Sequence, residues 1–295
     1  PYDRTAEAPP LVSVPLNGEQ QRAYDSLSAA YEKKEAACAL LYGVTGSGKT
    51  QVYMNLINQV VADNRQVLVM VPEISLTPQM MGLFLQKYGN RIAVLHSGLS
   101  IGERMDEWKR IRRGDAQIVI GTRSAVFAPF SHLGLVVMDE EQEHTYKSES
   151  SPRYHAREVA KFRCARHKAL LLLTSATPAV ESYHAAENGR YLLCRIDTRF
   201  GDAQLPETEV VDMREDPAED GVISGKLKAE MDACLSDGRQ VILLLNRRGY
   251  NTFVSCRSCG HVVTCPSCSI SMTYHRANHK LICHYCGCLL YTSDA

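Results

Sequence analysis

Residues 43–50 read Gly43-Val44-Thr45-Gly46-Ser47-Gly48-Lys49-Thr50, the complete pattern GxxxxGK[ST]. The loop follows an apolar run, Ala37-Cys38-Ala39-Leu40-Leu41-Tyr42, and precedes a helix-like stretch, Gln51-Val52-Tyr53-Met54-Asn55-Leu56-Ile57. A phosphate-binding loop works only at such a strand-to-helix junction. There, glycines let backbone N–H groups turn inward and the helix N-terminus adds its positive dipole end. Gly43, Thr45, Gly46, Ser47 and Gly48 are therefore the expected cradle for a nucleoside triphosphate. Lys49 is expected to reach the β- and γ-phosphates, and the Thr50 hydroxyl to hold Mg2+.

Outward from this loop, residues 37–173 alternate short apolar runs with amphipathic segments. The runs predict strands over 37–42, 66–71, 91–95, 116–120, 133–138 and 168–173. Helical patterns fall near 50–62, 76–88, 100–113 and 153–166. This alternation predicts an α/β fold, a parallel sheet with helices on both faces. Val67-Leu68-Val69-Met70-Val71 and Leu170-Leu171-Leu172-Leu173 are apolar throughout, as strands covered on both sides require. Residues 199–222, rich in Asp, Glu, Gly and Pro, read as a linker with a possible strand at 209–212. A helix over 224–236 and an apolar strand over 241–245 then begin a second unit, which a cysteine cluster interrupts.

Lys+Arg and Asp+Glu balance at 33 each, so any nucleic-acid partner needs a local groove of positive potential rather than a global one. No stretch approaches the roughly 18–20 apolar residues of a membrane span, so no membrane partner is expected. No signal peptide opens the chain, and Pro1 rather than Met at its start reads as a missing true N-terminus. Seven of the eleven cysteines crowd between Cys256 and Cys288, a pattern that fits a reducing cytoplasm and a metal site better than disulfides.

Hydrolysis needs a second element, an acidic pair at the end of a buried strand. Leu135-Val136-Val137-Met138-Asp139-Glu140-Glu141 supplies it. Asp139 is placed to hold Mg2+ and Glu140 to polarise the attacking water, which makes Lys49, Asp139 and Glu140 the expected catalytic set. Thr174-Ser175-Ala176-Thr177-Pro178 ends the next apolar strand, where small hydroxyls can sense the γ-phosphate or cap a helix. Three CxxC pairs follow: Cys256/Cys259, Cys265/Cys268 and Cys283/Cys286. Two such knuckles complete a tetrahedral Zn2+ site, so six paired cysteines make one site and leave half of another.

The phosphate loop, Asp139-Glu140-Glu141 and Ser175-Ala176-Thr177-Pro178, in that order, resemble superfamily 2 helicases. Within them, the PriA family of primosomal replication-restart helicases is closely similar over much of the chain. The likeness is carried by Val71-Pro72-Glu73-Ile74-Ser75-Leu76-Thr77-Pro78-Gln79, His96-Ser97-Gly98-Leu99-Ser100 and Gly121-Thr122-Arg123-Ser124-Ala125-Val126-Phe127-Ala128-Pro129. Arg153-Tyr154-His155-Ala156-Arg157 and Asn246-Arg247-Arg248-Gly249-Tyr250 extend it.

The resemblance implies a RecA-like first lobe over 16–198 after a linker remnant at 1–15, and the start of a second lobe over 223–250. It implies a zinc-binding insertion over 251–288, whereas residues 289–295 read as an aberrant truncated end. It makes Gln20 the candidate adenine reader and places Ser75, Thr77, Thr122, Arg123, Ser124, Arg153 and Tyr154 as candidate DNA contacts. In that family two metals are bound by four cysteine pairs. Cys265, Cys268, Cys283 and Cys286 correspond to the inner site, and Cys256 and Cys259 to an outer site left incomplete here. Gln142 stands where the family usually has a histidine coupling the nucleotide site to the neighbouring strand end. The implied activity is an ATP-dependent 3′-to-5′ DNA helicase that restarts replication at stalled forks, using ATP, Mg2+ and Zn2+. The implied partners are forked or single-stranded DNA, primosome proteins, the replicative helicase loader and single-strand-binding protein. A competing reading is a zinc-bearing fork-binding platform that loads replication proteins without unwinding.

Overall fold

The computed structural model describes residues 9–72, 78–149, 151–199, 206–216, 223–244, 254, 256, 259, 261–275 and 280–291. The chain divides into two units, Pro1–Leu205 and Pro206–Ala295. The first begins with helix α1 (Gly18–Glu32) and strand β1 (Ala37–Gly43), and continues through α2 (Lys49–Ala62), β2 (Gln66–Met70), α3 (Pro78–Tyr88) and β3 (Ile92–Leu95). It proceeds through α4 (Ile101–Arg113), β4 (Ile118–Gly121), β5 (Leu133–Asp139), α5 (Ala156–His167) and β6 (Leu170–Ser175). It closes with α6 (Val180–Glu187) and β7 (Leu192–Ile196). The seven strands form one sheet in the order β3-β4-β2-β5-β6-β1-β7, parallel at every pairing.

Alternate side chains of each central strand enter opposite cores. Leu41, Val67, Val69, Leu135, Val137 and Leu172 pack with residues of α1, α2 and α3. Leu40, Leu68, Met70, Val136, Met138, Leu171 and Leu173 pack on the other side with Ile111 of α4 and Ala156, Ala160 and Cys164 of α5. Both faces of the strands are thus dry, which explains sequences with no polar alternation. Capping boxes start two of the helices. Asn17 and Gln20 exchange bonds at α1, and Ser100 and Glu103 do so at α4.

Two elements of the first unit carry little sequence signal. The buried positions of α1 are Gln20, Ala23, Leu27 and Tyr31, and a glutamine and an alanine among four dilute the apolar stripe. At the sheet edge, β7 exposes Leu192 and Arg195, so its run of apolar residues is broken.

The second unit contains α7 (Gly225–Ser236), capped by Ser224, and a three-stranded antiparallel sheet of β8 (Thr273–His275), β9 (Lys280–Ile282) and β10 (Leu289–Tyr291). Two expected strands do not form. Residues 209–212 and the described part of 241–245 join no ladder, and Ile242 and Leu244 are exposed. An apolar strand holds its shape only when flanked, and no described neighbour pairs with either segment. Residues 289–291 make the edge strand of the small sheet, and Leu290 packs on its core. The Asn246–Tyr250 motif lies outside the described residues.

Candidate functional site

Because the sheet is parallel, the loops after β1, β5 and β6 leave at the same edge, from three adjacent strands in the order β5-β6-β1. This brings the phosphate loop, the acidic pair and the Thr174–Pro178 segment together. Gly46 and Gly48 take the left-handed conformation, with φ of 79° and 80°. At Gly48 a β-carbon would lie 2.3 Å from Gln20 Nε2, so any other residue must hold a left-handed backbone and displace that amide. Gly48 is the N-cap of α2 and offers no side-chain cap, so the helix start is open to an anion. Ser47 Oγ, a hydroxyl able to donate, is buried at the loop with no hydrogen-bond partner. These features fit a bound polyphosphate.

Lys49 Nζ folds onto the loop itself, donating to Gly43 O at 2.7 Å and lying 3.4 Å from Val44 O. Burial lowers its ammonium, while the charges of Glu140 and Asp139 pull the other way. Burial pushes the Asp139 carboxyl up from its ordinary 3.8, opposed by the Thr174 hydroxyl donating to Oδ1. The Tyr53 hydroxyl sits 3.5 Å from Asp139 Oδ2. A desolvated cation beside a desolvated carboxylate is the environment that phosphate and a divalent cation would relieve. Thr50, half-buried at the start of α2, is on the same side and hydrogen-bonds with Tyr53.

Gln142 bridges Glu140 and the end of β6. Its Nε2 donates to Glu140 Oε2 at 2.9 Å, and its Oε1 accepts from Ser175 Oγ at 2.6 Å. Ser175 Oγ in turn accepts from Thr177 N at 2.8 Å. An unbroken chain therefore runs from the end of β6 to Glu140, and a neutral amide serves because one atom donates and the other accepts. Glu140 has a positive φ of 46°, a strained backbone that aims its carboxylate.

Glu141 and Arg157 belong to a different network. Glu141 is fully buried and accepts from Ala179 N at 2.7 Å, Ser182 Oγ at 2.9 Å and Arg157 Nη1 at 3.1 Å. These residues anchor α5 and α6 to the end of β5, a role the sequence motifs did not reveal. Tyr146 was also missed. Fully buried, it places its hydroxyl 2.6 Å from Asp139 O and 3.0 Å from Met70 O.

Gln20 is fully buried in this structure. Its Oε1 accepts from Asn17 N and its Nε2 donates to Ser47 O, both at 2.9 Å. These bonds leave one Nε2 hydrogen and one Oε1 lone pair over, and in this geometry Gln20 supports the loop. Thr45 and Gly46 are exposed at its tip.

Five of the candidate DNA residues lie among the described ones. Thr122 is buried, and the Arg123 guanidinium donates to Thr145 O at 3.1 Å and Lys147 O at 2.6 Å. Ser124 is exposed, as is Arg153, whose Nε reaches Glu149 O at 3.2 Å. Tyr154 is half-buried with its ring edge-on to exposed Phe127, centroids 5.0 Å apart. Ser75 and Thr77 lie outside the described residues.

In the second unit, Cys265, Cys268, Cys283 and Cys286 place their sulfurs within 4.8 Å of one another. The separations Cys265–Cys286 and Cys268–Cys283 are 3.4 Å, and Cys268–Cys286 is 3.7 Å. A tetrahedral zinc site with Zn–S of about 2.3 Å has an edge of about 3.8 Å, so the four thiols fit the ion with slight expansion. Although burial opposes it, the amides of Ser267 and Cys268 lower the Cys265 thiol, while the bond to Cys283 raises that of Cys268, so the four thiols share protons unequally. Cys256 and Cys259 are exposed and join no such cluster among the described residues.

The sheet and its loops match a helicase lobe. Residues 18–186 match the DEAD/DEAH box helicase family, and the chain belongs to that family. Residues 265–288 match the PriA DNA helicase Cys-rich region, so the four-thiol cluster is a zinc ribbon of that kind. The chain is similar to the replication restart protein PriA of Bacillus subtilis, 46% identical over 276 residues that cover 93% of this chain and 34% of that protein. The protein of the same name from Synechocystis is 43% identical over 84% of this chain and 31% of its own length, and that of Haemophilus influenzae 42% over 84% and 34%. The chain thus spans about a third of the length of these relatives. Among the described residues no helix is long and apolar enough to cross a membrane.

Proposed function

We propose that this chain carries the ATP-binding lobe and zinc ribbon of a 3′-to-5′ DNA helicase that restarts replication at stalled or branched forks in the cytoplasm. The observation that carries the reading is the convergence of Lys49, Asp139 and Glu140 with the Gln142–Ser175 bridge on one sheet edge, in a chain that also holds a PriA-type ribbon. Lys49 and the loop amides hold the β- and γ-phosphates of ATP, with Thr50 and Asp139 as the Mg2+ ligands. When bound, Mg2+ supplies charge neutralisation at the phosphates. Glu140 orients the attacking water, and Gln142 fixes the Glu140 carboxylate against the end of β6. Ser75, Thr77, Thr122, Arg123, Ser124, Arg153 and Tyr154 line the DNA path in this proposal, through phosphate contacts and stacking that do not read bases. Cys265, Cys268, Cys283 and Cys286 hold one structural Zn2+. Cys256 and Cys259 are half of a second site. Primosome proteins, a helicase loader and single-strand-binding protein are the proposed partners.

The test is binding of a Mg2+–ATP analogue to the chain and to Lys49→Ala. A loss of roughly tenfold or more in affinity on substitution supports the site, since tenfold is the removal of about one charged contact. Equal affinity overturns it. Little DNA-stimulated hydrolysis is expected from a lobe acting alone. The ribbon favours a second reading, a fork-binding platform, and fork binding that survives Lys49→Ala while unwinding is lost would show that the two functions separate.

A further inference from the structure

Adjacent residues in the first turn of α1 hold two different parts of the lobe. Gln20 donates to Ser47 O of the nucleotide loop at 2.9 Å. Glu19 Oε2 accepts three bonds from the chain just beyond β7: Asp197 N at 3.0 Å, Thr198 N at 3.1 Å and Thr198 Oγ1 at 2.8 Å. The same exit segment touches the loop directly, with Val44 N donating to Ile196 O at 3.3 Å. Gly43 is packed so closely there that a β-carbon would stand 3.1 Å from Ile196 O. Residues 197–198 lie just before the start of the second unit at Pro206.

We propose that Glu19 is a positioning residue that couples the nucleotide loop to the segment through which the chain leaves the first lobe. The proposal rests on nucleotide binding at 43–50. The physical path is short and rigid. A shift of Ser47 or Gly48 moves Gln20, Gln20 and Glu19 share one helical turn, and Glu19 carries residues 197–198 with it. A carboxylate accepting two backbone amides and a hydroxyl is a strong clamp. The hydroxyl and amide of Thr198 hold its carboxyl below the ordinary value of 4.5. Coupling of this kind is reciprocal, so perturbing the exit must be felt at the loop.

Hydrogen exchange resolved to peptides covering 43–50 and 194–199 tests it on the whole chain. Glu19→Ala is expected to speed exchange at 197–198 by roughly tenfold, as loss of a charge-assisted acceptor implies, and to alter protection at 43–50 as well. Thr198→Ala, which leaves the charge of α1 untouched, must change 43–50 in the same direction, and Glu19→Gln, which keeps an acceptor oxygen without the charge, must fall between Glu19→Ala and the wild type. An ATP analogue with Mg2+ is expected to change exchange at 197–198 in the wild type and not in Glu19→Ala. If Glu19→Ala affects only 197–198, or if Thr198→Ala leaves the loop unchanged, the clamp is local and the coupling is refuted. If the analogue binds, measured separately by titration, yet leaves 197–198 unchanged in the wild type, the coupling is again refuted. If it fails to bind at all, the nucleotide reading falls, while the variants without nucleotide still decide the coupling.

Discussion

Replacing Arg157 by methionine removes one charge of the Glu141–Arg157 pair while keeping an apolar stem of similar reach. Both side chains are withdrawn from water, at 0% exposure for Glu141 and 14% for Arg157. Removing one partner of a buried pair costs about 3–5 kcal/mol because the other charge is left uncompensated. Glu141 keeps two donors, Ala179 N and Ser182 Oγ, so the cost belongs at the low end, about 3 kcal/mol. For a unit of this size each kcal/mol lowers Tm by about 2–4 °C, giving a fall of ~6–12 °C. Glu141→Gln with Arg157→Met together leave no buried charge, and are expected to recover about 2 kcal/mol relative to the sum of the singles. Circular dichroism melts and urea titrations of the four proteins complete the cycle. A fall under about 2 °C for Arg157→Met would refute the account, as would singles that add within about 0.5 kcal/mol.

Gly48→Ala forces a left-handed alanine and displaces Gln20; analogue affinity is expected to fall about tenfold in a fluorescence titration, in line with a strain of roughly 1–2 kcal/mol. Tyr146→Phe leaves the carbonyls of Asp139 and Met70 without their buried donor and is expected to cost about 1–3 kcal/mol in urea unfolding. Gln142→Ala breaks the link from Ser175 to Glu140 and is expected to slow single-turnover phosphate release without weakening binding, whereas Gln142→His keeps a donor and an acceptor and retains the rate. Stripping metal with a strong chelator is expected to release one zinc equivalent and expose the thiols of Cys265, Cys268, Cys283 and Cys286. The melt of the first unit, which holds none of them, should not move.

The sheet was legible because parallel strands covered on both faces must be apolar at every position, and the runs at 66–70 and 170–173 have no other good explanation. The chemistry was legible where it is local in sequence. The phosphate loop and the acidic pair each sit at one strand end, and a CxxC knuckle carries its own geometry. What stayed hidden depends on residues far apart in the chain. Glu141 looks like a third member of an acidic run, yet its partners are Arg157, Ala179 and Ser182. Arg123 reads as a phosphate contact, and no pattern announces that one of its guanidinium nitrogens also holds the carbonyls of Thr145 and Lys147 across the loop. Gln20 stands near a helix start as the candidate adenine reader, and its burial against Ser47 O depends on a residue far along the chain. The run 241–245 misled for the opposite reason, since apolar character says that a strand wants partners and not that it has them.

Strand β5 divides the functional edge of the sheet. On one side lie β6 and β1, with the loop and the Ser175 segment; on the other lie β2 and β4, followed by residues 71–72 and 122–129. The short 3-10 turn His144–Tyr146 is held from both sides of that divide. Tyr146 reaches the carbonyl of Asp139 on β5 and that of Met70 on β2, while Arg123, just after β4, grips Thr145 O and Lys147 O. The acidic pair therefore cannot shift without pulling on the backbone that follows β2 and β4. If those ends meet DNA as proposed, the physical link between the two halves is this turn rather than a continuous side-chain path through the core. The motifs at 139–142 and 121–129 are then joined by backbone carbonyls, whose identity no residue pattern records.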